Sequence, residues 1–167
     1  QSHKIGEKMK ELCFPFDSQK ILRRRPALKK QLLSDGTVRI KKKIAVLGGS
    51  TTDHIVATLE LFLLNFGIEP DFYQSEYNKF YEDAVFGNPE LESFAPDVIY
   101  IHTTSRNLTR LPASPSIKHE QIENDLNEQF AYFRQVWESL MEQFNCPVIQ
   151  NNFELPLFRH TGSYDCW

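Results

Sequence analysis

The chain has 167 residues, 41% hydrophobic and 25% charged, a globular composition at the size of one domain. No apolar run approaches the roughly 20 residues of a bilayer-spanning helix, so membrane-spanning, collagen-like and wholly disordered readings are excluded. The net charge of −3 argues against a protein built as a whole to bind nucleic acid. That sum hides an asymmetry. Residues 1–43 hold 13 basic and 4 acidic residues, and residues 44–167 hold 6 basic and 18 acidic ones. The head and the body face different surroundings.

Cys13, Cys146 and Cys166 are odd in number and widely separated, with neither zinc spacing nor a disulfide framework. A reduced, cytoplasmic protein without metal or cofactor is expected. There is no apolar leader and no initiating Met, and the sequence ends on Cys166-Trp167, so it reads as a piece of a longer protein.

The first predicted element is a helix capped at Asp17, carrying Ile21, Leu22, Leu28, Leu32 and Leu33 and stopped by Asp35-Gly36. Pro26 should kink or restart it, leaving a basic arm packed on the surface of the body. Arg23-Arg24-Arg25 and Lys41-Lys42-Lys43 can serve an acidic partner or simply form a solvated face. Ile44-Ala45-Val46-Leu47 before Gly48-Gly49 reads as a buried parallel strand entering a tight turn. A helix follows from Asp53 to Phe66, closed by Gly67. Residues 68–74 form a second strand, and Tyr77, Phe80 and Tyr81 stand at helical spacing beyond it. Asn88-Pro89 opens a short helix, Val98-Ile99-Tyr100-Ile101 is a third strand ending at His102, and residues 103–118 form a long loop with Pro112 and Pro115. A long amphipathic helix from His119 to Phe144 carries Ile122, Leu126, Phe130, Phe133, Val136, Trp137, Leu140 and Phe144. Residues 146–150 form the last strand. The alternation predicts a three-layer α/β/α sandwich around a parallel, flavodoxin-like sheet, with residues 1–42 as the basic arm and 43–167 as the body.

In open parallel sheets the ligand crevice lies at the carboxyl ends of the strands, where the strand order reverses. Three polar clusters fall there: Gly48 to Asp53, His102 to Asn107, and Asn151-Asn152-Phe153-Glu154. In the first, glycines allow a sharp turn while Ser50 and Thr51 present hydroxyls beside the amides of a helix start, a place for a nucleophile or an anion. The same side chains could instead cap the helix. No Walker A or dinucleotide-binding glycine pattern is present. In the second cluster, His102, Arg106 and Asn107 could hold a carboxylate or phosphate or stabilise an oxyanion. Asn151 and Asn152 in the third are candidates for substrate binding or strand terminators.

Read together, residues 43–52, 72–77, 96–102, Arg106-Asn107 and 150–154 resemble the SGNH/GDSL hydrolase fold, and more closely the SGNH-like N-terminal region of FkbH-like proteins. The resemblance implies an acyl- or glyceryl-transfer or ester-hydrolysing role in secondary-metabolite or surface-polysaccharide biosynthesis, as part of a larger enzyme. It implies Ser50 as nucleophile, with Gly49 where the pattern has Asp, Asn107 as oxyanion donor, and Gly87 as the middle glycine. His160, or a histidine beyond Trp167, would be the base. Gly49, Thr51, His102, Arg106 and Asn152 would line the substrate site. A haloacid-dehalogenase-like domain is expected downstream, and any phosphate chemistry would lie there. The partners implied are an acyl carrier protein or an acylated small-molecule or saccharide substrate. The alternative is a catalytically degenerate module that docks an acyl carrier protein for the downstream domain, its basic arm meeting the acidic carrier.

Overall fold

A computed structural model describes residues 8–110 and 116–154. A single turn at Lys10–Leu12 precedes α1, Ser18–Leu33, whose N-terminus is capped by the Asp17 carboxylate accepting from the Lys20 N–H at 3.0 Å. The expected restart at Pro26 does not occur, and α1 runs through it as one helix. The lost N–H costs one backbone bond, while Ile21, Leu28 and Leu32 on either side stay buried with Leu12 and with Leu61 and Leu64 of the next helix. Burying each such side chain stabilises by about 1.5–3 kcal/mol, enough to hold the helix through its proline.

The first strand, β1, spans Ile40–Gly48, longer than the apolar run suggested. Its amino-terminal half is mostly exposed and takes in Lys41, Lys42 and Lys43, which pair in register with Glu69, Pro70 and Asp71. Opposite charges face each other there across two strands. The boundary expected at residues 42/43 therefore falls inside β1. Helix α2, Asp53–Asn65, ends at Phe66 and Gly67, the latter at φ +84°, the left-handed C′ position that glycine fills without strain. Strand β2 is Ile68–Gln74 and α3 is Phe80–Val85, so Tyr77 lies outside the helix and is exposed. Asn88 caps α4, Pro89–Phe94, accepting from the Glu90 and Leu91 N–H groups. Strand β3 is Val98–His102, α5 is His119–Phe144, and β4 is the short Val148–Gln150.

All pairings are parallel, in the order β2-β1-β3-β4. Alternation along the strands sends Ala45, Leu47, Ile99 and Ile101 to one face, against Phe80, Ala84 and Leu91 and against Phe133, Val136 and Leu140 of α5. Ile44 and Val46 go to the other face, against Val56 of α2. The fold is the α/β/α sandwich expected from the sequence, with α1 laid on the outside of α2. One difference concerns α5. Its buried residues begin only at Gln129, and Ile122, Leu126 and Phe130 are exposed rather than in the core. At 1.5 Å per residue its 26 residues extend about 39 Å, more than twice the length of a five-residue strand, so the first half of α5 outruns the sheet it packs on.

Candidate functional site

The strand order reverses between β1, which leads to β2 on one side, and β3, on the other. The loops after β1 and β3 therefore meet at the switch point where α/β sheets bind ligands. They are stitched together. The Gly49 N–H donates to the His102 carbonyl at 2.8 Å. The Asn107 amide, on a single turn at Ser105–Asn107, donates from Nδ2 to the Gly49 carbonyl at 3.0 Å. Its Oδ1 accepts from the Thr104 N–H at 2.8 Å. The amide lies so close over Gly49 that a Cβ there would stand 2.5 Å from Asn107 Nδ2 and Oδ1. Glycine is required for this approach, not for its backbone angles.

The second Nδ2 proton of Asn107 is also engaged, donating to Asn78 Oδ1 at 3.1 Å. Asn78 sits in the loop after β2 with φ +59°, a left-handed conformation asparagine adopts more readily than most residues. The same loop braces β1: the Gly48 N–H donates to Ser75 Oγ at 2.9 Å and the Ser75 N–H to the Val46 carbonyl at 3.0 Å. Ser75 and Asn78 belong to this site although sequence reasoning passed them over. The signal was a fourth polar cluster, Gln74-Ser75-Glu76-Tyr77-Asn78, at a strand's carboxyl end like the other three.

The loops after β3 and β4 are bound side by side. Asn151 Oδ1 accepts from the Thr103 N–H at 2.9 Å and its Nδ2 donates to the Thr103 carbonyl at 2.8 Å, extending the ladder by one side chain. The Thr103 hydroxyl accepts from Gln150 Nε2 at 2.8 Å, and Gln150 Oε1 accepts from Trp137 Nε1 at 2.6 Å. The Glu154 carboxylate accepts from the Ser105 hydroxyl at 2.7 Å and from the Ser105 N–H at 3.0 Å. These bonds to Ser105, with the backbone N–H of Glu154, hold the Glu154 carboxyl below its usual range. His102 Nδ1 lies 3.2 Å from the Tyr100 hydroxyl. Burial pushes the imidazole below its ordinary 6.5, against the opposing pull of the Glu154 charge.

Ser50 differs from all of these. It is half-buried on the turn before α2, and among the described residues no hydrogen bond engages its hydroxyl. The helix-capping alternative is not what the loop adopts. The cap position is Thr52, whose side chain bonds no helix amide and instead donates to Gln74 Oε1 at 3.2 Å. Thr51 is exposed beside Ser50. Gly49, Ser50 and Asn107 are thus brought together, with His102 joined through its carbonyl. Arg106 is exposed and contributes its backbone N–H to Thr104 Oγ1 at 3.3 Å. Asn152 is exposed, its carbonyl accepting from Asn151 Nδ2 at 2.8 Å. Gly87 forms the turn after α3 at φ +82°, away from these bonds. His160 lies outside the described residues, and among those described no three His, Cys, Asp or Glu side chains are grouped so as to hold a metal ion. A cavity of about 390 Å³ lined by Glu92, Ala95, Pro96, Gln143 and Phe144 lies by the amino end of β3, at the wrong edge of the sheet for this chemistry.

Comparison with known proteins gives the fold. No family model matches the sequence, and no curated protein matches it. Among solved structures, the N-terminal part of BF1531 from Bacteroides fragilis, containing a phosphatase domain complexed with Mg, is similar over 84% of this chain, with a TM-score of 0.62 and 19% identity. The chain spans 36% of that structure. Ornithine transcarbamoylase from Giardia lamblia aligns over 89% of this chain and 35% of its own, at 11% identity and a TM-score of 0.34, too low to carry an argument. The α/β/α fold is thus shared with the N-terminal part of BF1531. No helix among the described residues is long and apolar enough to cross a membrane.

Proposed function

We propose that this chain is an SGNH-like domain of an FkbH-like protein, working in acyl or glyceryl transfer or in ester hydrolysis through Ser50. The observation that carries the reading is the unengaged Ser50 hydroxyl on the turn between β1 and helix α2, next in the chain to Gly49, over which the Asn107 amide packs. Ser50 Oγ would form a bond to the acyl carbonyl carbon, passing its proton to a base, while the carbonyl electron pair moves onto oxygen. Collapse breaks the bond to the leaving alkoxide or thiolate, which takes up the proton. Water or an acceptor hydroxyl then releases the acyl group by the same steps. His160 is the histidine assigned as base, and the reaction needs neither metal nor cofactor from these residues. The similar BF1531 structure contains a phosphatase domain, and this chain spans 36% of it; in this reading any phosphate chemistry of the parent protein lies outside this chain, in a downstream domain. The setting is cytoplasmic, with an acyl carrier protein or an acylated saccharide as partner.

The test is labelling by a fluorophosphonate, in which Oγ bonds to phosphorus, fluoride leaves and the proton passes to the base or solvent. Mass-spectrometric mapping should find the adduct on Ser50 and none in Ser50→Ala. Absence of labelling, or equal labelling of the variant, overturns the reading.

A second reading, a degenerate module that docks an acyl carrier protein, is favoured by one observation. Among the described residues no imidazole hydrogen-bonds Ser50, and both Asn107 N–H groups are already engaged. In that version the basic helix α1 steers the acidic carrier, and reversing the charge of Arg23, Arg25 and Lys30 should weaken carrier binding at low salt.

A further inference from the structure

The Asn107 side chain has five engagements, and they are not equivalent. Four fix its orientation: Oδ1 takes the Thr104 N–H at 2.8 Å and the Thr104 hydroxyl at 3.4 Å, Nδ2 gives to the Gly49 carbonyl at 3.0 Å, and the amide packs closely over Gly49. All four come from the β1 and β3 loops. The fifth is the bond from Nδ2 to Asn78 Oδ1 at 3.1 Å. It comes from the separate loop after β2, from an exposed residue held at φ +59°. It is the one hydrogen bond the Asn107 amide makes with the β2 loop, and the bonds to Thr104 and Gly49 hold the amide without it.

We infer that Asn78 Oδ1 occupies the position of a ligand oxygen, and that a carbonyl or phosphonyl oxygen of the bound substrate displaces it to accept the Asn107 N–H. This rests on the Ser50 reading, since the displaced oxygen belongs to the group Ser50 attacks. A donor already paired with an amide oxygen is pre-aligned for an oxyanion, which accepts a stronger, charge-assisted bond. Asn78 therefore makes the empty site self-satisfied. A neutral ligand oxygen competes with it on even terms, whereas a developing negative charge wins. The displacement asks only the Asn78 side chain to turn away, since Ser75 stays tied to Gly48 and Val46 and Lys79 to Glu76 and Asp83. Asn78 acts through Asn107 and is a positioning residue, not a catalytic one.

The experiment is the rate of fluorophosphonate labelling of Ser50 in wild type, Asn78→Gly and Asn78→Asp. Glycine suits the left-handed backbone at this position, keeps the course of the loop and removes the competing acceptor, so labelling should speed up by roughly 2- to 10-fold, one ordinary hydrogen bond. Aspartate keeps the acceptor and adds a charge that repels the oxyanion, so labelling should slow by a similar factor. A purely structural role would slow both variants. A second readout needs no chemistry: the Asn107 side-chain amide protons should shift in the nuclear magnetic resonance spectrum of Asn78→Gly. Adduct on Ser50 at the same rate in all three proteins, or both variants slowed, overturns the role of Asn78 and leaves the Ser50 site standing. No adduct on Ser50 in wild type removes both.

Discussion

The loop after β3 and the loop after β1 stand side by side at one switch point, yet they spend their polar groups differently. In the β3 loop the Thr103 backbone and hydroxyl, the Ser105 N–H and hydroxyl and the whole Asn107 amide are engaged, by Asn151, Gln150, Glu154, Gly49, Thr104 and Asn78. In the β1 loop the glycines are used for close approach, and the Ser50 hydroxyl is left over. One loop is framework and the other presents a hydroxyl unengaged among the described residues. Rigid support beneath one unsatisfied hydroxyl is the arrangement that chemistry on that hydroxyl requires.

The strongest way to break this arrangement is Gly49→Ala. The new methyl meets the Asn107 amide at 2.5 Å, and that amide cannot yield without giving up its bonds to Gly49, Thr104 and Asn78. A loss of about 2–4 kcal/mol is expected in urea unfolding, together with loss of fluorophosphonate labelling at Ser50. Unchanged stability would mean that the close packing of the two loops is not a constraint. Next is Asn151→Ala. Thr103 is fully buried, so losing the Asn151 amide orphans its N–H and its carbonyl, which should cost about 1–3 kcal/mol. Asn151→Asp should recover part of this, because it restores the acceptor for the Thr103 N–H but not the donor.

A smaller effect is carried by pH. Burial lowers the His102 pKa below its ordinary 6.5, so the folded state binds fewer protons than the unfolded chain. The associated stability is complete above 6.5 and is lost as the pH falls through the folded value. Bonds from Ser105 lower Glu154 below its ordinary 4.5, and its contribution is likewise present above 4.5 and lost as the pH falls further. Urea midpoints measured from pH 8 to 4 should therefore decline in two stages. His102→Gln should flatten the upper stage and Glu154→Gln the lower one. A wild-type midpoint that rises between pH 7 and 5 would contradict the His102 assignment, and one that rises below pH 4.5 the Glu154 assignment.

Much of this frame was legible because apolar runs and periodicity mark buried strands and helices. The segment Ile68–Gln74 and the helix His119–Phe144 are bounded where the pattern changes. What the pattern could not show depends on distant partners. The lysines ahead of Ile44 look like a solvated flank, yet they lie inside β1, in register with β2, with Lys42 Nζ and the Lys43 N–H bonded to the distant Asp97 carboxylate. Ile122, Leu126 and Phe130 keep helical spacing whether or not a sheet lies beneath them. Proline read locally as a break in α1, whereas burial on both sides of it decides the outcome. At the site, the three glycine- and asparagine-bearing loops were recognisable from strand ends. That Asn107 has no spare N–H, and that Thr52 rather than Ser50 occupies the cap position, follows from which side chains meet in space.

The smallest expected effect separates the two loops most sharply. Ser50→Ala removes a hydroxyl that bonds nothing among the described residues, so unfolding free energy should change by no more than about 0.5 kcal/mol, while labelling disappears. A hydroxyl that served as a helix cap would instead cost about 1 kcal/mol on replacement by alanine. Thr52→Val supplies the contrast within the same turn. Thr52 is buried and its hydroxyl donates to Gln74, so its loss should destabilise by about 1 kcal/mol while Ser50 remains reactive. If the two variants reversed these roles, Ser50 destabilising and Thr52 silent, the hydroxyl that looks free would be structural, and the carrier-docking reading would gain what the serine-centred one lost.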